Sequence, residues 1–219
     1  MNMFNEPNEV VEEGRWSRTC RLDDGTVYVS KFLSDGLVVD LETIKAEWDT
    51  WSESERLDFV QAYLDKPDAS AEDEKILLFL MERGGERVWA NMASLLPWLS
   101  DRERALGFLC ERLGSDSSEP KGGFVRALEV IGGTRALSAL EEFHDVTRSD
   151  LSTVDGADAA GLIIDFMYCC SALVKVKGRE PHLHEIEAFL SDERDLVRLV
   201  ASDLVREANE KGEAGTPGT

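Results

Sequence analysis

The sequence predicts an all-α protein, a short α-solenoid of stacked helical hairpins with a small N-terminal β-hairpin cap. Three observations carry that expectation. Apolar residues recur at helical spacing, as Ile76, Leu77, Leu80 and Met81 do in one segment and Phe124, Ala127, Leu128 and Ile131 in another. A glycine pair returns at a regular interval, at Gly84-Gly85 and Gly132-Gly133. Strand character is confined to residues 15–33.

Residues 1–14 form a polar, acidic lead. Between 15 and 33, Trp16, Cys20 and Leu22 precede Asp24-Gly25, and Val27, Tyr28, Val29 and Phe32 follow it. Asp-Gly between β-rich runs is a hairpin turn, and a hairpin here would shield the open end of the first repeat. The repeat domain is expected over 34–209, with helices at 40–50, 53–65, 71–83, 86–98, 101–113, 121–131, 134–146, 157–177, 181–190 and 193–209. Ser52, Ser100 and Ser191 stand where N-caps belong, with acids behind them and an apolar run to follow. Pro67, Pro120 and Pro181 sit at helix boundaries, whereas Pro97 closes or bends its helix. Residues 114–123 read as a Ser/Gly/Pro loop, 147–156 as an acidic insertion, and 210–219 as a flexible tail.

The glycine pairs mark an internal repeat. Moving 48 residues along the chain lays Leu80 on Leu128, Gly84-Gly85 on Gly132-Gly133, Arg87 on Arg135, and Trp89 and Met92 on Leu137 and Leu140. A glycine ends a helix by turning left-handed without a Cβ clash, so a second helix can fold straight back. One such hairpin cannot hide its apolar stripe alone, and neighbours must stack. The recurring Arg87 and Arg135 read as structural bridges between neighbouring hairpins.

The run Val125-Arg126-Ala127-Leu128 through Ile131-Gly132-Gly133-Thr134-Arg135-Ala136-Leu137-Ser138-Ala139-Leu140-Glu141 resembles the HEAT-like repeats found in phycobilisome lyases. Leu190-Ser191-Asp192-Glu193 with Val197-Arg198 and Ala201 is similar to the start of another such unit. The chain departs from the pattern where Gly133 replaces the usual aspartate. The resemblance implies an armadillo-like α-solenoid whose concave surface binds proteins. It does not imply lyase chemistry, because the motif carries packing residues only.

Charge narrows the partners. Forty-four acidic against 24 basic residues give a net charge of -20 in 219 residues. Such a surface repels the phosphates of nucleic acids and the anionic leaflet of a membrane, and it attracts basic proteins. No stretch approaches an uninterrupted membrane-spanning run, and the acidic N-terminus lacks the basic and apolar regions of a signal peptide, so a cytoplasmic location is expected. Cys20, Cys110, Cys169 and Cys170 have no CxxC spacing and read as reduced thiols.

The leading functional expectation is therefore non-catalytic: a scaffold, adaptor or inhibitor, by analogy an immunity protein, that uses an acidic surface to hold a basic protein. Its candidate partner-binding residues are Trp48 and Trp51, three apart on one helical face, with Glu141, Glu142, Asp145, Asp150, Asp155 and Asp158 around the 147–158 loop. No GxSxG, GxxxxGK[ST] or GxGxxG element is present, and no catalytic residue, cofactor or metal is expected. His182 and His184 are two apart and diverge on a helix, and His144 reads as a helix-end residue. The alternatives are a HEAT-like DNA glycosylase, for which Trp48-Asp49 offers an echo but the charge has the wrong sign, and a lyase-type chaperone holding a tetrapyrrole at Cys110 or Cys169.

Overall fold

The computed structural model describes residues 9–13, 17–21, 27–31, 40–64, 71–116, 119–154, 159–177 and 181–214. Most of these are helical. The chain divides into two compact units, Met1–Leu95 and Leu96–Thr219. At the start of the first, strands β1 (Glu9–Glu13), β2 (Ser17–Arg21) and β3 (Val27–Lys31) pair antiparallel in the order β1-β2-β3, with Cys20 opposite both Val10 and Tyr28. The Asp24-Gly25 turn lies outside the described residues.

Helices α1 (Leu41–Glu47), α2 (Glu53–Leu64), α3 (Ala71–Arg83) and α4 (Glu86–Met92) complete the first unit. Asp40 caps α1 by accepting from the Thr43 amide at 2.9 Å. Ser52 caps α2 reciprocally: its amide donates to Glu55 at 2.8 Å, and the Glu55 amide donates back to the Ser52 hydroxyl at 3.3 Å. The bend from α3 to α4 is closed at Gly84-Gly85. The Gly84 amide donates to the Leu80 carbonyl at 2.8 Å, and the Trp89 indole adds a second bond to that carbonyl at 2.9 Å. A Cβ on Gly84 would stand 2.6 Å from both the Leu80 carbonyl oxygen and Val88 Cγ1, and Gly85 turns with φ +80°.

The core of this unit is aromatic. Trp48, Trp51, Phe59 and Tyr63 are buried in a chain of ring contacts 5.0–5.4 Å apart at successive pairs, and Ile44, Val60, Ile76 and Leu80 pack with them in the interior. The Trp48 indole N–H is satisfied by the Arg83 carbonyl at 3.2 Å. The helix expected over 86–98 stops at Met92 and continues to Trp98 as a tighter 3-10 turn. Pro97 is the reason, since it has no amide to donate and its ring crowds the carbonyl four residues back.

The second unit holds α5 (Arg102–Leu113), α6 (Gly122–Ile131), α7 (Gly133–Leu151), α8 (Ala159–Lys177), α9 (His182–Glu187) and α10 (Asp195–Ala214). Its axis is α8, against which α6, α7, α9 and α10 all pack. By length and composition α8 is apolar enough to cross a membrane, although Asp165 interrupts its apolar run. Its Ile163, Phe166, Met167, Cys170 and Leu173 are buried in the unit's own core. The bend from α6 to α7 repeats the device of the first unit: the Gly132 amide donates to the Leu128 carbonyl at 2.9 Å, and Gly132 and Gly133 take φ +68° and +84°.

In both units the arginine after the bend reaches an acid in the first turn of an earlier helix. Arg87 meets Glu53 of α2 at 2.9 Å and Arg135 meets Glu103 of α5 at 3.7 Å. Both pairs are exposed, so each contributes well under about 1 kcal/mol. Two helix starts differ from the sequence reading. Asp101 caps α5 by accepting from the Arg104 amide at 3.0 Å, one residue after the expected Ser100, and α10 begins at Asp195 beyond Ser191. Helix α7 also runs to Leu151 instead of ending near 146, and Thr147 within it is buried, its hydroxyl donating to the Phe143 carbonyl at 2.7 Å.

Candidate functional site

Two features of the second unit bring chemistry-bearing side chains together. The first is a cleft of about 940 Å³ walled by α5, residues 114–116 and 119–121, α7 and α8. Leu113, Phe143, Val146 and Leu162 give it an apolar wall. Glu111, Asp116, Glu119, Glu142, Asp150 and Asp165 line it with carboxylates, against the single cation Lys121 among the described residues. That ammonium is engaged by the Arg112 and Ser115 carbonyls at 2.9 and 3.1 Å and by the Ser115 hydroxyl at 2.9 Å.

Asp165 fixes the cleft floor. From α8 its carboxylate accepts the Lys121 and Gly122 amides at 2.9 Å each, capping the start of α6 from outside the helix. Burial pushes its carboxyl above the ordinary range, and the two amide bonds and the Lys121 charge oppose that rise. Gly122 has no alternative here, since a Cβ would stand 2.7 Å from the Tyr168 ring.

The second feature is a buried polar cluster where α7, α8 and α9 meet. Glu185 Oε2 lies 2.9 Å from His144 Nε2, 3.0 Å from His182 Nδ1 and 3.7 Å from Cys170 Sγ. Arg148 holds the other oxygen, Oε1, at 3.1 Å. His144 stacks on Phe166 at 5.1 Å, and its Nδ1 faces Asp145 at 3.2 Å. Burial alone would raise the Glu185 carboxyl, but hydrogen bonds from His182 and His144 and the charges of His144 and Arg148 outweigh it and hold it below its usual value. Burial, reinforced by Glu185, pushes the Cys170 thiol well up; with Asp145 also contributing, Cys169 is pushed up to about 12. Cys169 turns away from the cluster to the Leu140 carbonyl.

No family model, curated protein or solved structure matches this chain.

The residues singled out from the sequence divide clearly. Glu142 and Asp150 line the cleft. Glu141 is ion-paired with Lys177, and Asp145 sits against His144. Asp155 and Asp158 lie outside the described residues. Trp48 and Trp51 are not surface anchors: they are 1% and 3% exposed, with both indoles engaged, by the Arg83 carbonyl and the Glu47 carboxylate. Among the described residues the exposed tryptophan is Trp98, at 78%. Asp49, the neighbour that echoed a glycosylase pair, is gripped by Arg83 at 2.8 and 2.9 Å. Cys110 lines the cleft, half-buried, and burial raises its thiol against the lowering charge of Arg135.

The histidines require a correction. His144 is not a helix-end residue; it lies mid-way along α7 and is buried. His184 does turn away from His182, outward to Glu187 at 2.8 Å. His182 instead converges with Glu185 from one turn of α9, and with His144 and Cys170 from two other helices. A partial signal was present, since His144 follows Ala136 and Leu140 at i+4 spacing on an apolar face. Its partners, about 26 and 41 residues further along, carry no local mark of their proximity.

Proposed function

We propose that this chain is a non-catalytic binding module, an adaptor or inhibitor, that takes a basic, partly apolar segment of a partner protein into the cleft of its second unit. In this reading the glycine-hinged helices are HEAT-like hairpins, and the N-terminal strands cap the first of them. One observation carries the proposal: the cleft sets six carboxylates around an apolar wall, with one already engaged ammonium among them. That combination suits a segment in which Lys or Arg alternates with Leu or Phe. The rings and branched chains would bury against Phe143, Val146 and Leu162, while the cations meet Glu142, Asp150 and Glu111. The net charge of -20 would accelerate the encounter and disfavour nucleic acid.

The test is fluorescence anisotropy with a labelled peptide of alternating Arg and Leu, and with an acidic peptide of the same length as control. The basic peptide is expected to bind, to weaken steeply between low and high salt, and to lose at least about tenfold in affinity in Glu142→Lys/Asp150→Lys. Glu210→Lys, on exposed α10, should leave binding within about twofold after the change in net charge is matched by salt. Equal binding by the cleft double variant, or a preference for duplex DNA in a mobility-shift assay, would overturn the reading.

A further inference from the structure

We propose that His144, Cys170, His182 and Glu185 form a four-ligand site for a divalent transition metal ion, zinc by the character of its donors, which clamps α7, α8 and α9 together. Each residue offers one donor atom, and the four atoms lie within 4.8 Å of one another. Imidazole nitrogen, carboxylate oxygen and thiolate sulfur are all donors that zinc accepts, and four of them fill its tetrahedral coordination. A tetrahedron with bonds of about 2.0–2.3 Å has edges of roughly 3.3–3.8 Å. The Cys170–Glu185 separation of 3.7 Å already falls there, the histidine contacts at 2.9 and 3.0 Å open by a few tenths of an ångström, and the widest spacing, up to 4.8 Å, closes by about 1 Å as the ion draws the donors in.

Hydrogen-bond accounting points the same way. His144 is buried with a carboxylate on each ring nitrogen, Glu185 at Nε2 and Asp145 at Nδ1. A neutral imidazole has one N–H and can satisfy only one of the two, and an imidazolium donates to both only by burying a positive charge. A cation seated between Nε2 and Glu185 removes the conflict: Nε2 gives its lone pair to the metal, and Nδ1–H donates to Asp145. A carboxylate behind a ligating histidine is the usual outer support of a zinc ligand, and Arg148 on the free Glu185 oxygen supplies a second. On binding, the Cys170 S–H bond breaks as the sulfur–metal bond forms, and the proton leaves to solvent. No position is left open for substrate, so the ion is structural. The alternative is a metal-free hub in which Glu185 simply accepts from both rings.

The experiment is titration of the full chain, first stripped with chelator, with cobalt(II) alone, followed by zinc(II). The expected result is one equivalent of cobalt giving the intense visible bands of tetrahedral coordination and a near-ultraviolet thiolate charge-transfer band, both removed by zinc. Cys170→Ser should abolish the charge-transfer band. Because that buried change could itself impair folding, His182→Gln at the cluster's more accessible edge is the second variant. It should keep the circular dichroism of the parent and weaken cobalt at least about tenfold, and zinc should raise the melting temperature of the parent but not of this variant. Asp145→Asn should weaken binding by about 10–100-fold without removing the charge-transfer band. Absence of that band in the folded parent, or cobalt binding unchanged in His182→Gln, would overturn the site and leave the metal-free hub.

Discussion

The two units solve the same packing problem with opposite chemistry at their centres. Around Trp48 the first unit buries rings whose polar handles are spent on backbone and one nearby carboxylate: Trp48 on the Arg83 carbonyl, Trp89 on that of Leu80, Trp51 on Glu47. Around Glu185 the second unit buries two imidazoles, a thiol and a carboxylate, which converge on one carboxylate oxygen. An aromatic core of the first kind gains mainly from area removed from water and tolerates a change of pH. A core of the second kind holds groups whose charge matters, so its stability depends on what they bind. The lesson is that the conspicuous residues serve packing, and the chemistry sits on scattered, inconspicuous ones.

The largest expected effect breaks the first core. Trp48→Ala should cost about 3–5 kcal/mol in urea denaturation, the range for emptying a fully buried aromatic site. Less than about 1 kcal/mol would mean that the ring cluster is not the centre of this unit. Next come the two glycine bends, which look alike in sequence and differ in space. Gly84→Ala drives a Cβ into the Leu80 carbonyl and Val88 and should cost about 2–3 kcal/mol, as overpacking does. Gly132→Ala meets no atom within 4 Å and is opposed only by its backbone, φ +68° and ψ -164°, a region essentially reserved for glycine, so about 1–3 kcal/mol is expected. A cost below about 1 kcal/mol at Gly84 in parallel melts would show that crowding there relaxes freely.

Asp165 sharpens the contrast in pH. Its folded carboxyl is raised above 3.8 chiefly by burial, so the folded state holds the proton more tightly than the unfolded chain. The penalty for ionising it is present at neutral pH and disappears as pH falls through the raised value towards 3.8. Relative to Asp165→Asn, which keeps an acceptor for the α6 amides but does not titrate, the parent should therefore gain stability on acidification in that window. A difference that is flat with pH would remove the effect. The smallest prediction has the reverse sign. Asp192 is held down to about 2 chiefly by its hydrogen bond from Arg194, with the Arg194 amide and charge helping, so its contribution is present above 3.8 and lost as pH falls through about 2. In Arg194→Ala, the nuclear magnetic resonance titration midpoint of Asp192 should climb towards 3.8.

Much of the helical layout was legible because it depends on short-range rules. Apolar spacing, the capping box at Ser52 and Glu55, and the glycine pairs each act within a few residues. Where the reading went astray, a polar residue behaved as a core residue. Thr147 is buried with its hydroxyl spent on the Phe143 carbonyl, and Arg148, Ser149 and Asp150 after it are exposed, so polarity there marks an outward face and not the end of α7. The site was less legible. Glu142 and Asp150 could be nominated from charge alone, and both line the cleft. Glu111, Asp116, Glu119 and Asp165 join them only through packing of α5, α7 and α8, which no local spacing encodes. The direction in which Trp48 and Trp51 point is likewise a property of neighbours, since helical spacing gives a face but not which side of it is covered.

The distribution of indoles makes the molecule its own reporter. Trp16, Trp48, Trp51 and Trp89 belong to the first unit, and Trp98, already in contact with water, is the one tryptophan of the second. A red shift of emission on heating would therefore record melting of the first unit, and collapse of the second would pass almost silently. Comparing emission with far-ultraviolet ellipticity in one sample would reveal whether the halves let go together or in turn, with no label added.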